Sequence, residues 1–174
     1  MEVLTPDEID KAYERIQSLI IKTPLISNER INNNTNSKVY FKLENLQKTG
    51  SFKIRGASNK IFQLSNEEKS KGIISYSSGN HAQAVAYVSN YYGIPATIVM
   101  PKNAPKIKIA NTKKYGAKII LYDPLYESRE KITSEISLKE NKQIIEPYDD
   151  LDIIAGQGTV GKEIVEQLKI ENIK

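Results

Sequence analysis

The chain has 174 residues, 39% of them hydrophobic, which is enough for a packed core and excludes wholesale disorder. Lysine and arginine number 25 against 21 acids, and the net charge of +4 is scattered rather than gathered into the stripe that a nucleic-acid face requires. With no cysteine and a single histidine, His81, disulfides, thiolate metal sites and a histidine-rich metal centre are excluded.

Met1 to Asp10 carries acids and a proline instead of a basic and apolar leader. No uncharged apolar run reaches membrane-spanning length, so a cytoplasmic protein is expected.

Thr5-Pro6-Asp7-Glu8 opens a first predicted helix, with Thr5 as cap, Pro6 at the first helical position and Glu8 as the capping-box acid. Ile9, Ala12, Tyr13, Ile16 and Leu19 then form an apolar stripe at helical spacing. The polar run Asn32 to Asn36 reads as a loop. Val39, Phe41 and Leu43 alternate with Tyr40, Lys42 and Glu44, which predicts a strand.

Further strands are predicted at Gly72–Tyr76, Ala96–Met100 and Ala117–Tyr122, with a weaker signal at Ile144-Ile145. Helices are predicted at His81–Tyr92, Lys106–Tyr115 and Glu127–Lys139. A further one covers Ile153–Leu168 despite Gly156, Gly158 and Gly161. Gly93 and Gly116 fall where left-handed helix caps belong. The alternation predicts an α/β fold with mostly parallel sheets flanked by helices. An α/β chain should continue into another strand after the last helix, so a sequence that is cut off is expected.

Three segments have residues suited to chemistry. In Lys48 to Ala57 (KTGSFKIRGA), Gly50 permits a tight turn and Ser51 is placed to cap a helix. Lys53 would then sit in the first helical turn, where the helix dipole and burial both disfavour its charge. A neutral amine is what Schiff-base chemistry requires. The bland alternative is an exposed lysine on a capped helix. In Ser77-Ser78-Gly79-Asn80-His81, small polar residues follow an apolar strand and precede a helix, the usual ligand side of an α/β sheet. Opening amides there suit a carboxylate or phosphate, unless Ser or Asn simply caps the helix. His81 by itself reads as a hydrogen-bonded helix residue rather than a catalyst. Gly156, Gly158 and Gly161 have the spacing of a dinucleotide loop, but Ile153-Ile154 is too short to be its strand. Close helix packing explains those glycines better.

Together these segments resemble the threonine dehydratase and serine racemase family, fold type II of the pyridoxal-phosphate enzymes (tryptophan synthase β-like). The resemblance rests on KTGSFKIRGA and on Ser77 to Gln83 (SSGNHAQ). Met100 to Lys106 (MPKNAPK), Tyr115 to Ala117 (YGA), Glu127 to Glu130 (ESRE) and Ile153 to Thr159 (IIAGQGT) follow in the family's order. It covers nearly the whole chain.

The resemblance implies pyridoxal 5'-phosphate as cofactor, bound covalently by Lys53, with Phe52 beside its ring and Asn80 hydrogen-bonded to its phenolic oxygen. It implies that Ser77, Ser78, Gly79 and His81 receive the substrate carboxylate. Ser78 would face the substrate opposite Lys53, as a second acid/base group in racemases. Lys53 would remove the α-proton, and loss of the β-hydroxyl would yield a 2-oxo acid and ammonia.

The family's glycine-rich phosphate loop does not follow the Gly156 segment, so the expected organisation has an incomplete large domain. Residues 1–66 begin that domain, 67–146 form the small domain, and 147–174 start the return to the large one. The expected activity is threonine or serine ammonia-lyase, with serine or aspartate racemisation as runner-up. A non-catalytic fragment that needs a complementary C-terminal chain is the reading from another class, and a homo-oligomer is expected if the chain acts alone. A nicotinamide oxidoreductase would rest only on the Gly156 spacing.

Overall fold

The fold is described from a computed structural model, which covers residues 4–170. Helix α1 (Pro6–Ile16) opens as its sequence predicts, the Glu8 carboxylate accepting from both the amide and the hydroxyl of Thr5. Ala12 and Ile16 are buried, and Leu19 is buried just beyond the helix end. Strand β1 (Leu25–Ser27), helix α2 (Glu29–Thr35) and strand β2 (Tyr40–Lys42) follow, β1 and β2 pairing antiparallel.

Helix α2 corrects the loop expected at Asn32 to Asn36. The Asn28 side chain caps it by accepting from Ile31 N, and Asn36 closes it in a left-handed conformation at φ 48°. Asn32 is tied on both sides, its amide group donating to Ser27 Oγ and its oxygen accepting from Val39 N. Asparagine is a poor interior helix former, but its side chain suits caps and short local bonds. The strand expected to run to Glu44 also ends early, at Lys42. Glu44–Leu46 forms a single 3-10 turn.

After helices α3 (Lys53–Phe62) and α4 (Asn66–Lys71), the chain alternates strand and helix. These are β3 (Ile73–Tyr76), α5 (Asn80–Tyr91), β4 (Ala96–Pro101), α6 (Lys106–Lys114), β5 (Lys118–Tyr122), α7 (Arg129–Glu140), β6 (Gln143–Ile144) and α8 (Leu151–Ile170). The last four strands form one parallel sheet in the order β5-β4-β3-β6. Gly93 (φ 67°) and Gly116 (φ 86°) end α5 and α6 in the left-handed region that their positions predicted.

Every residue of β3 and β4 is buried, as expected of central parallel strands covered on both faces. Side chains alternate between two cores. Ile73, Ile98 and Met100 join Ala82, Val85 and Val88 of α5 and Ile54, Ala57 and Ile61 of α3 in the larger one. Ile74, Tyr76, Val99 and Tyr122 face the other way, against Ile132 and Ile136 of α7.

Helix α8 crosses α3 at very short range. A Cβ at Gly156 would lie 2.6 Å from both Arg55 O and Gly56 Cα. Helix α8 begins directly at Leu151 with no strand before it, so Gly156, Gly158 and Gly161 lie inside a helix and the dinucleotide-loop reading falls.

Candidate functional site

Two helix starts converge on one short segment. Helix α5 opens beyond the carboxyl end of β3, where Ser77 N still bonds Val99 O at 3.1 Å. Its cap position is Gly79 (φ −158°, ψ −118°), and no side chain accepts from its opening amides. Ordinary capping by Ser or Asn therefore does not occur. A Cβ placed on Gly79 would meet nothing within 4 Å, so the helix start faces open space. Uncapped amides at the positive end of a helix suit an anion.

The residues of this loop divide by exposure. Ser78 and Asn80 are exposed, whereas Ser77 and Gly79 are half-buried. Asn80 Oδ1 accepts from Lys108 Nζ of α6 at 2.5 Å, which turns the amide nitrogen of Asn80 away from that contact. His81 is only 2% exposed, with Nε2 3.4 Å from Ile145 O and Nδ1 without a hydrogen-bond partner. Burial, reinforced by the charge on Lys53, pushes its pKa down to about 4 despite the Ile145 carbonyl, so the ring is neutral at neutral pH.

Lys53 is the first residue of α3, after a turn that Gly50 makes at φ 71°. The cap position is Phe52, in a helical conformation, and no side chain caps the helix. Ser51, expected to do so, is instead buried with its hydroxyl unpartnered.

Lys53 Nζ donates to Pro147 O at 2.9 Å and sits 5.3 Å from the centre of the Phe52 ring, which is 40% exposed. Partial burial lowers the pKa of the amine. Among the described residues no carboxylate lies within salt-bridge distance of it, whereas Lys42 and Lys60 are both paired with acids.

Lys53 and His81 thus reach carbonyls two residues apart, at Pro147 and Ile145. That segment is held from behind, Ser75 Oγ donating to Ile145 O at 2.7 Å and Tyr76 OH to Glu146 Oε2 at 2.6 Å. Neither Pro147 nor Lys108 was marked as a member of the site by any motif. Lys108 lies two residues beyond the matched MPKNAPK stretch. A separate cleft of about 280 Å³, lined in part by Arg15, Asn59, Gln63 and Asp152, lies toward the far end of α3 from Lys53.

These features fit the cofactor implied by the resemblance. An aldehyde on a pyridine ring needs an amine that deprotonates readily, and Lys53 is partly buried with no acid among the described residues to hold its proton. It also needs a flat apolar neighbour and a polar donor, which exposed Phe52 and the Asn80 amide group offer.

Comparison with known proteins agrees with that fit. Residues 16–174 match the family described as pyridoxal-phosphate dependent enzyme. The serine racemase of Schizosaccharomyces pombe is 45% identical over 94% of this chain and 51% of its own length. The L-threonine ammonia-lyase of Thermotoga maritima is 43% identical over 95% of this chain and 41% of its own. The structure of maize serine racemase superposes with a TM-score of 0.90 at 45% identity, covering 94% of this chain and 50% of that one. The chain therefore spans about half the length of the relatives it matches. It belongs to the family of pyridoxal-phosphate dependent enzymes.

Proposed function

We propose that this chain carries the lysine-bearing portion of an ammonia-lyase that converts L-threonine or L-serine to a 2-oxo acid and ammonia. The observation that carries the proposal is Lys53, a partly buried amine that among the described residues bonds only the Pro147 carbonyl and lies beside an uncapped helix start. Relatives named threonine ammonia-lyase and serine racemase support the substrate class.

Lys53 would hold the cofactor covalently, with Phe52 against its ring and the Asn80 amide group donating to its phenolic oxygen. Bound pyridoxal phosphate supplies an electron sink for the pair left when the α-proton departs. The substrate carboxylate would lie on the amides that open α5, lined by Ser77, Ser78, Gly79 and His81. Neutral His81 adds no charge there, so the helix dipole and the amide donors do the binding. Lys53 Nζ, once free, would take the α-proton, a role that contributes about 10²–10⁴-fold in general-base catalysis. Its lowered pKa keeps a larger share of the amine unprotonated at neutral pH.

Racemisation is a second reading, favoured by one observation. Ser78 is exposed at the loop, and its hydroxyl has no hydrogen-bond partner among the described residues, so it is free to serve as a second proton carrier. The same reading divides the chain into 1–66, 67–146 and 147–174. The parallel sheet between Ile73 and Ile144 and the packing of α8 on α1 and α3 support that division.

The testing experiment adds pyridoxal phosphate to the purified chain, reduces with borohydride and maps the adduct. A visible absorbance band and an adduct at Lys53, both lost in Lys53→Ala, are expected. L-threonine and L-serine are then assayed for 2-oxo acid release and D-serine formation, on this chain alone and with a complementary C-terminal chain. An adduct spread over surface lysines in a folded chain would sink the proposal.

A further inference from the structure

The glycine-rich stretch of α8 has no part in the site as described, yet it touches α3 within one turn of Lys53. Gly56 lies in the first turn of α3, and its amide donates to Gln157 Oε1 at 3.1 Å. The amide of a fourth helical residue normally bonds the cap carbonyl, but here Phe52 O accepts from Arg55 N at 3.0 Å, and no side chain from the preceding loop serves the helix start. Helix α3 is therefore capped in trans, from a residue 101 positions along the chain.

The approach depends on two glycines. A Cβ on Gly56 would lie 2.4 Å from Gln157 Nε2 and 2.7 Å from Ile153 O, and one on Gly156 would strike the backbone of Arg55 and Gly56. Thr159 Oγ1, one turn further along α8, accepts from Arg55 Nη1 at 3.2 Å. The contact has a cost, because Gln157 Nε2 is buried with no hydrogen-bond partner. Packing alone would be met by an apolar side chain with nothing to satisfy. A buried donor kept at this point indicates that the acceptor on the other end of the amide is what the site requires.

We propose that Gln157 is a positioning residue for Lys53. By fixing the Gly56 amide it sets the start of α3, and with it the place of Lys53 Nζ against Pro147 O. The inference rests on the reading of Lys53 as the cofactor-binding lysine. Gln157 touches neither substrate nor cofactor in this role and acts only through the helix.

The test compares Gln157→Met, which keeps the bulk and removes the acceptor, with Gln63→Met. Gln63 also bonds α8, donating to Asp152 Oδ1 at 2.9 Å, but from the opposite end of α3. Two readouts are taken beside thermal melting. One is the pH titration of Lys53 after reductive ¹³C-methylation, which needs no cofactor. The other is the rate of borohydride-trapped pyridoxal-phosphate capture at Lys53. Gln157→Met is expected to shift the Lys53 titration upward and slow capture by tenfold or more. Gln63→Met should lower the melting point with both readouts unchanged. Gln157→Glu, which restores an acceptor, should recover most of the capture rate. Gln157→Asn, one methylene shorter, makes the same comparison if the methionine variant fails to fold.

An unchanged Lys53 titration in Gln157→Met or Gln157→Asn, or an equal change in Gln63→Met, would overturn the proposal. Should the unmodified chain form no adduct at Lys53, the cofactor reading fails, and the titration still decides whether Gln157 positions the amine.

Discussion

Lys53 Nζ donates to Pro147 O at 2.9 Å, a bond that joins the first residue of α3 to the segment leading from β6 into α8. A carbonyl satisfies the amine without holding its proton as a carboxylate would. Burial is then free to lower the pKa. The unprotonated fraction of such an amine is larger at any pH below its ordinary value. Pyridoxal-phosphate capture at Lys53 is therefore expected to persist to lower pH than capture by an exposed lysine in a short peptide. Rates of trapped adduct formation between pH 6 and pH 9 measure this, and superimposable profiles would contradict it.

The glycines of α8 differ sharply in what they tolerate. Gly156→Ala forces a methyl against the backbone at 2.6 Å, which no rotamer change relieves. Overpacking of this kind costs about 1–3 kcal/mol or more. Gly161 has nothing within 4 Å, so Gly161→Ala should stabilise the helix by about 0.5–1 kcal/mol. Urea denaturation of both variants tests the pair, and the opposite signs are the prediction.

That contrast also shows what the sequence could and could not disclose. Apolar runs bounded by glycines marked β3 and β4, because strands covered on both faces leave a dense hydrophobic signal, and a similar run after Gly116 marked the partly exposed edge strand β5. Gly156 and Gly158 were readable as packing glycines, because Ile153-Ile154 is too short to be the strand of a dinucleotide loop, whereas Gly161, grouped with them, packs against nothing. The partner of Gly156 on α3 was not readable, since nothing local in the sequence links Gly56 to Gly156. Strand β1 went unseen because three residues make no period, and it exists only through its pairing with β2. The asparagine run hid α2 because composition spoke for a loop, while Asn28 and Asn36 supplied both caps. Lys53, Ser77, Ser78, Gly79, Asn80 and His81 were all legible as two motifs. The carbonyls that bring Lys53 and His81 to one segment were not, because backbone acceptors leave no mark on residue type.

Arg55 is wholly buried between two acids. Its guanidinium bonds Glu44 at 2.8 Å and Glu163 at 2.9 Å, and Glu163 also meets Lys42 at 2.5 Å. Burial opposes the charge on Arg55, but the hydrogen bonds to Glu44 and Glu163 outweigh it and raise its pKa. Arg55→Leu would leave Glu44 without its two-pronged partner and Glu163 with Lys42 alone. Breaking one side of a buried ion network costs about 3–5 kcal/mol. Arg55→Lys should recover only part of this, since an ammonium cannot span both carboxylates with a planar fork. Denaturant midpoints of the two variants check the order, and equal losses would show that the fork geometry contributes nothing.

His81 makes stability depend on pH in a definite direction. Its pKa is about 4 in the fold against an ordinary value of 6.5, because burial and the Lys53 charge disfavour the imidazolium. Between these values the unfolded chain binds a proton that the folded chain refuses. Stability from this group is therefore full above about pH 6.5 and is lost as pH falls toward 4. At 1.36 kcal/mol per unit, the loss is about 3 kcal/mol. Carboxylates add their own acid sensitivity, so the test is a difference. Urea midpoints of the unmodified chain and of His81→Gln are compared at pH 7 and pH 4.5. Glutamine keeps a donor for Ile145 O and has no proton to gain, so the variant should lose less stability on acidification than the parent. An equal loss in both would mean that His81 accepts its proton without opening the fold, which its burial and unpartnered Nδ1 argue against.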